Sequence, residues 1–153
     1  MMVKTGKRLT LCEILLTGIL IFIWGNSAMP GQTSGALSGW AGALLSKILP
    51  FLATENGLHF LRKAAHFSEF AALGMTFSWL FGMLMANPLP KYGLPLLCGA
   101  AAACIDEAIQ IFSPGRYCSP ADVALDCAGV ATGFCMVYLA YRLIRILKQN
   151  TTK

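Results

Sequence analysis

Apolar residues gather into four long runs, at about 9–25, 64–86, 93–112 and 121–141, separated by short segments rich in polar residues, Gly and Pro. Each run is close to the ~20 residues that an α-helix needs to cross ~30 Å of hydrocarbon. The pattern predicts an all-α, polytopic membrane protein: one domain over residues 1–153, a bundle of four transmembrane helices. Breakers mark the ends of the runs. Asn87-Pro88 and Pro90 predict a tight turn between the second and third. Pro95 falls in the first turn of the third, where its missing N–H is tolerated. Ser113-Pro114-Gly115 closes that run, and the fourth opens with Ser119 as N-cap, Pro120 at the first helical position and Asp122 three residues after the cap. The first run follows a basic lead (Lys4, Lys7, Arg8) and has the look of a signal-peptide core. Glu13 interrupts it, however, and cleavage after Asn26-Ser27-Ala28 would leave Asn at the −3 position, so an uncleaved span is the better fit.

The linker between the first two runs, 26–57 on the outer side, is rich in Gly, Ser and Pro. Within it Leu37, Trp40, Leu44 and Ile48 recur at helical spacing. That suits an extra short helix lying in the membrane interface with Trp40 as anchor, although a plain loop with scattered apolar residues fits the same spacing.

Composition narrows the class. Of 153 residues 56% are apolar and only 12% charged, about half the charged share of soluble domains; mean hydropathy is +0.63. A soluble enzyme, a disordered tail and a nucleic-acid-binding domain are excluded. The formal charge of +5 comes without a basic stripe interleaved with aromatics, so no nucleic-acid partner is expected. Five of the six cysteines lie in apolar runs, Cys118 alone falls in a polar loop, and there is no CxxC pair. The basic residues set an orientation. Lys4, Lys7, Arg8, Lys91, Arg142, Arg145, Lys148 and Lys153 would lie on one side, against Lys47, Arg62, Lys63 and Arg116 on the other. This predicts a multi-pass protein of the plasma membrane with both termini in the cytoplasm.

The acidic residues carry the chemistry. Five of seven, Glu69, Asp106, Glu107, Asp122 and Asp126, lie in or beside the last three runs. A carboxylate at the centre of a membrane helix costs about 2.5–3.5 kcal/mol on insertion scales, so five lipid-facing acids would consume much of a small domain's stability. They must be shallow, paired or turned toward a wet interior. The connections put all five, with His66 and Gln110, within roughly 10 Å of the outer interface. Asp106 and Gln110 share a helix face, as do Asp122 and Asp126, and so do Arg62, His66 and Glu69. Gly129, Gly133 and Gly74 allow close helix approach. The expectation is one polar cavity, open to the outside, built from Lys63, His66, Glu69, Asp106, Glu107, Gln110, Arg116, Asp122 and Asp126. Against five acids stand Arg62, Lys63 and Arg116. The shortfall can be relieved by protonating a carboxyl, charging His66 or binding a cation. Ion pairs that merely hold helices together would use the same residues, and Asp122 also serves as a helix-start acid.

These residues resemble the VanZ-like family. The likeness rests on Lys63-x-x-His66-Phe67-x-x-Phe70-x-x-x-Gly74, Glu107-x-x-Gln110-x-Phe112-x-Pro114-x-Arg116 and Ser119-x-x-Asp122, followed by Gly129 and Gly133, with Trp24-Gly25-Asn26-Ser27 and Ser34 upstream. Asp126 departs from it, since the resemblance implies Asn there. The resemblance implies an integral membrane protein of the cell envelope of a kind that lowers sensitivity to the glycopeptide teicoplanin. Besides the lipid bilayer, the implied partner is an envelope headgroup such as a lipid-linked cell-wall precursor. The alternative is a membrane-embedded enzyme acting on such a substrate. Asp106, Glu107, Asp122 and His66 could hold a divalent metal, Glu107, Asp122 and His66 among them, but their spacings are not diagnostic and no metal is assigned. No nucleophile and no cofactor is specified by the sequence. A proton-coupled transporter is disfavoured because the inner halves of the spans carry no matching polar chain.

Overall fold

The computed structural model describes residues 2–151; Met1, Thr152 and Lys153, the last of which enters the orientation argument, lie outside the described residues. In chain order the helices are α1 (Met2–Ala28), α2 (Gly31–Leu45), α3 (Glu55–Leu84), α4 (Pro88–Ile111) and α5 (Pro120–Thr151), with a 3-10 turn at Pro50–Ala53. There is no strand among the described residues. Four stretches are long and apolar enough to cross a membrane: Gly6–Ala28, Glu55–Leu84, Lys91–Ile111 and Pro120–Asn150. The chain is thus an all-helical, multi-pass membrane protein with an extra short helix after its first span.

The helices outrun the apolar runs, because hydropathy marks contact with hydrocarbon whereas helical hydrogen bonding continues into polar sequence. α3 starts at Glu55 rather than near 64. The Thr54 hydroxyl accepts the Gly57 N–H at 3.1 Å, and Glu55 supplies an acid to the first turn. Pro88 and Pro90 do not form a separate turn. The Asn87 side chain caps α4 by accepting the Leu89 N–H at 3.3 Å, and the first turn of a helix needs no N–H from proline. α5 continues well beyond 141, through Arg142, Arg145 and Lys148. In the linker, Leu37, Trp40 and Leu44 lie on α2 and are exposed, Trp40 by 70%, while Ile48 falls beyond the helix end.

α3 is the hub, packing against α1, α2, α4 and α5. Its seam with α5 is built on glycine. A Cβ on Gly133 would run into the Ala71 carbonyl and one on Gly74 into the Val130 backbone, while one on Gly129 would stand 2.6 Å from the Phe67 carbonyl oxygen. Close backbone approach of this kind is how helices associate where lipid removes the usual hydrophobic drive. The buried core is small (Ile23, Phe70, Leu73, Phe77, Ala102, Ala103, Val130). Large apolar side chains such as Ile14, Ile21, Phe22 and Leu97 face outward, as expected when the surrounding solvent is hydrocarbon.

Candidate functional site

α1 and α4 end, and α3 and α5 begin, at the same end of the bundle, and the polar residues gather there. Gly115 reverses the chain after α4 at a φ of 76°, a left-handed conformation that suits a residue without Cβ. The loop it forms is tied down on three sides. Ser113 Oγ donates to the Ser27 carbonyl (2.8 Å), the Gly31 N–H to the Pro114 carbonyl (2.9 Å), and the Ser119 N–H to Glu107 Oε2 (2.7 Å).

Between this loop and the helices lies a cavity of about 240 Å³. It is lined by Arg62, Lys63 and His66 from α3, Glu107 and Gln110 from α4, Gly115, Arg116, Tyr117 and Ser119 from the loop, and Asp122, Leu125 and Asp126 from α5. Seven of the nine residues singled out from the sequence therefore line it. Glu69 and Asp106 lie outside its lining. Glu69 Oε1 accepts from Asn26 Nδ2 at 3.2 Å, and Asp106 Oδ2 accepts from Ser27 Oγ at 2.7 Å and Gln110 Nε2 at 3.0 Å.

Charge is unevenly satisfied. Lys63 Nζ sits 2.7 Å from Asp122 Oδ1, with both side chains about one-third exposed, and this is the sole salt bridge among the described residues. Arg116 Nη2 donates to the Asn26 carbonyl at 3.0 Å. Burial, and then the like charge of Arg62, hold its guanidinium below the ordinary value, with Asp106, Glu107 and Glu69 acting in the opposite sense. Asp106, Glu107 and Asp126 are 0%, 2% and 2% exposed. Asp106 Oδ1, Glu107 Oε1 and Glu69 Oε2 are buried without a hydrogen-bond partner. Cys118 stands beside Glu107. Desolvation of the sulfur, and next the Glu107 carboxylate, push the thiol up from its ordinary range.

Glu107, Asp122 and His66, the residues the sequence offers as metal ligands without assigning a metal, all line the cavity, but the first two have other partners. Glu107 accepts the loop's Ser119 N–H and Asp122 pairs with Lys63. His66 instead converges with Asp106 and Asp126, with one ligand atom of each within 4.8 Å of the others. Asn26, Ser27 and Ser113 were not among the predicted site residues, yet they anchor Glu69, Asp106 and the loop. The available signal was Asn26-Ser27 at the polar edge of the first apolar run.

The family model for VanZ/LLP1 matches residues 13–143. The chain belongs to the VanZ/LLP1 family. The matched stretch spans every cavity-lining residue and stops within α5. No curated protein and no solved structure matches this VanZ/LLP1 chain.

Proposed function

We propose that this VanZ/LLP1 protein acts in the plasma membrane of the cell envelope, with both termini cytoplasmic and its cavity open to the outside. There it holds the anionic headgroup of a lipid, a lipid-linked cell-wall precursor being the first candidate, and so lowers sensitivity to glycopeptides such as teicoplanin. One observation carries the reading: Arg62 and Arg116 face the same cavity, and neither makes a salt bridge among the described residues. Guanidinium groups suit phosphate and carboxylate through paired N–H donors. Size points the same way. At about 240 Å³ the cavity falls below the roughly 300–1,000 Å³ typical of drug-sized ligands; it has room for a headgroup, not for a whole glycopeptide. The excess of basic residues at the opposite end of the bundle supports the orientation.

Antibiotic susceptibility tests this. Arg116→Ala and Glu107→Gln, expressed at wild-type level, should reproduce the phenotype of a deletion strain. Wild-type susceptibility in both variants, where deletion changes it, refutes the cavity's role. A second reading, an enzyme acting on the same lipid, has in its favour the unpartnered Glu107 Oε1 at the cavity wall, a carboxyl placed for proton transfer. Turnover of a lipid phosphate by the purified protein, abolished in Glu107→Gln, would establish it.

A further inference from the structure

Two groups on the cavity wall, His66 and Asp126, and one buried next to them, Asp106, hold ligating atoms that nothing else uses. His66 and Asp126 make no hydrogen bond among the described residues, and both line the cavity. Asp106, fully buried, spends Oδ2 on Ser27 and Gln110 while Oδ1 has no partner. One ligand atom from each residue lies within 4.8 Å of the other two. A tetrahedral ion with bonds of ~2.1 Å separates its ligands by about 3.4 Å, so small side-chain rotations close the set. Two carboxyls buried this deeply in a membrane bundle, with so few donors, take either a proton or a positive charge beside them, and a bound cation would supply the latter. No basic residue forms a salt bridge with either carboxylate: Lys63 is paired with Asp122, and Arg62 and Arg116 make no salt bridge among the described residues.

We infer that His66, Asp106 and Asp126 bind one divalent metal ion, of the Mn²⁺-to-Zn²⁺ type, at the cavity wall that His66 and Asp126 form. The ligand set chooses the class. Imidazole disfavours Mg²⁺ and Ca²⁺, which take oxygen ligands, and the absence of thiolate from the set disfavours the softest ions. Charge agrees with valence. With all five carboxyls ionised, Glu69, Asp106, Glu107, Asp122 and Asp126 against Arg62, Lys63 and Arg116 leave two formal negative charges, which one divalent ion neutralises. Ser27 and Gln110 orient Asp106 from behind, the supporting role that outer hydrogen bonds play in metal sites. Three protein ligands leave at least one coordination position free, and it faces the cavity because His66 and Asp126 line it. The inference is independent of what the cavity holds.

The test uses the full chain, purified in detergent, stripped with chelator, and titrated separately with Zn²⁺, Mn²⁺ and Mg²⁺. Metal is counted after desalting. About one equivalent of Zn²⁺ or Mn²⁺ per chain is expected, with Mg²⁺ bound at least tenfold more weakly. Asp106→Asn and Asp126→Asn, close in shape to the native residues, should each weaken binding at least tenfold, whereas Glu55→Gln, away from the site, should leave it unchanged. X-ray absorption of the Zn²⁺-loaded wild-type protein should show imidazole nitrogen and oxygen ligands, and this does not depend on any variant folding. No retained metal, sulfur in the coordination shell, or undiminished binding in the Asp106→Asn/Asp126→Asn double variant would overturn the inference. Antibiotic susceptibility plays no part in these readouts, so failure here and failure of the headgroup reading are separately visible.

Discussion

Ser27 connects the end of α1 to the buried acid of α4, and its removal can be worked through atom by atom. Its hydroxyl is fully buried and donates to Asp106 Oδ2 at 2.7 Å; Gln110 Nε2 donates to the same oxygen at 3.0 Å, and Oδ1 has no donor. Ser27→Ala deletes one oxygen atom and leaves the carboxylate with a single donor. The change in volume is too small to open a cavity of consequence, so the lost bond to Asp106 sets the cost, the 3.5 Å bond that the hydroxyl accepts from Gln110 Nε2 being longer and weaker. Interhelical hydrogen bonds in membrane proteins average about 0.6 kcal/mol and reach about 1.7, whereas bonds to charged groups run to about 1.5–3 kcal/mol. The acceptor is a buried carboxyl left with Gln110 as its one donor, so we expect about 2 kcal/mol. The assay is reversible unfolding of chelator-treated protein in mixed micelles, run as a double-mutant cycle with Asp106→Asn. Most of the loss should disappear in the Asp106→Asn background, giving a coupling of at least about 1 kcal/mol. A loss below about 0.5 kcal/mol, or an equal loss in both backgrounds, would show that the hydroxyl does not support this carboxylate.

Three further outcomes are expected. Gly133→Ala drives a methyl into the Ala71 carbonyl and toward the Met75 N–H and should cost about 1–3 kcal/mol or more; Gly93→Ala, with open space around it, should be neutral or slightly stabilising, and equal melting temperatures for the two would contradict the packing described. Lys63→Ala should cost less than about 1 kcal/mol in thermal unfolding, because its partner Asp122 is also partly exposed. The alkylation rate of Cys118 should rise with pH along a curve displaced above the usual thiol range, since a raised pKa leaves less thiolate at neutral pH. Glu107→Gln should move that curve down and speed the reaction near pH 8, and superimposable curves would rule out the coupling.

Much of the fold was legible because a bilayer turns helix length into a compositional signal: four apolar runs, each bounded by Pro, Gly or Asn, became four of the five helices. What hydropathy could not show was where helices persist in water. The start of α3 at Glu55 is set by Thr54 and the start of α4 by Asn87, caps that act through one hydrogen bond each. In the site, helical spacing placed Asp106 with Gln110, and the two are hydrogen-bonded. Spacing cannot say which way a whole helix is rotated. Asp106 and Glu107 are neighbours in sequence, separated by about 100° around the helix, and rotation alone determines that one meets His66 while the other meets the loop. Nor can any local period connect Ser27 with Asp106 and Ser113, 79 and 86 positions further along the chain.

The glycine seam between α3 and α5 has one more consequence. Lys63 stands one turn before Phe67, and Asp122 two turns before Gly129, where main chain meets nearly bare main chain. The two charges are therefore held face to face by a rigid joint beneath them and not by their own attraction. Exchanging them, acid for base and base for acid, should leave the two backbones as far apart as before, while reversing the direction of the local field along that wall of the cavity.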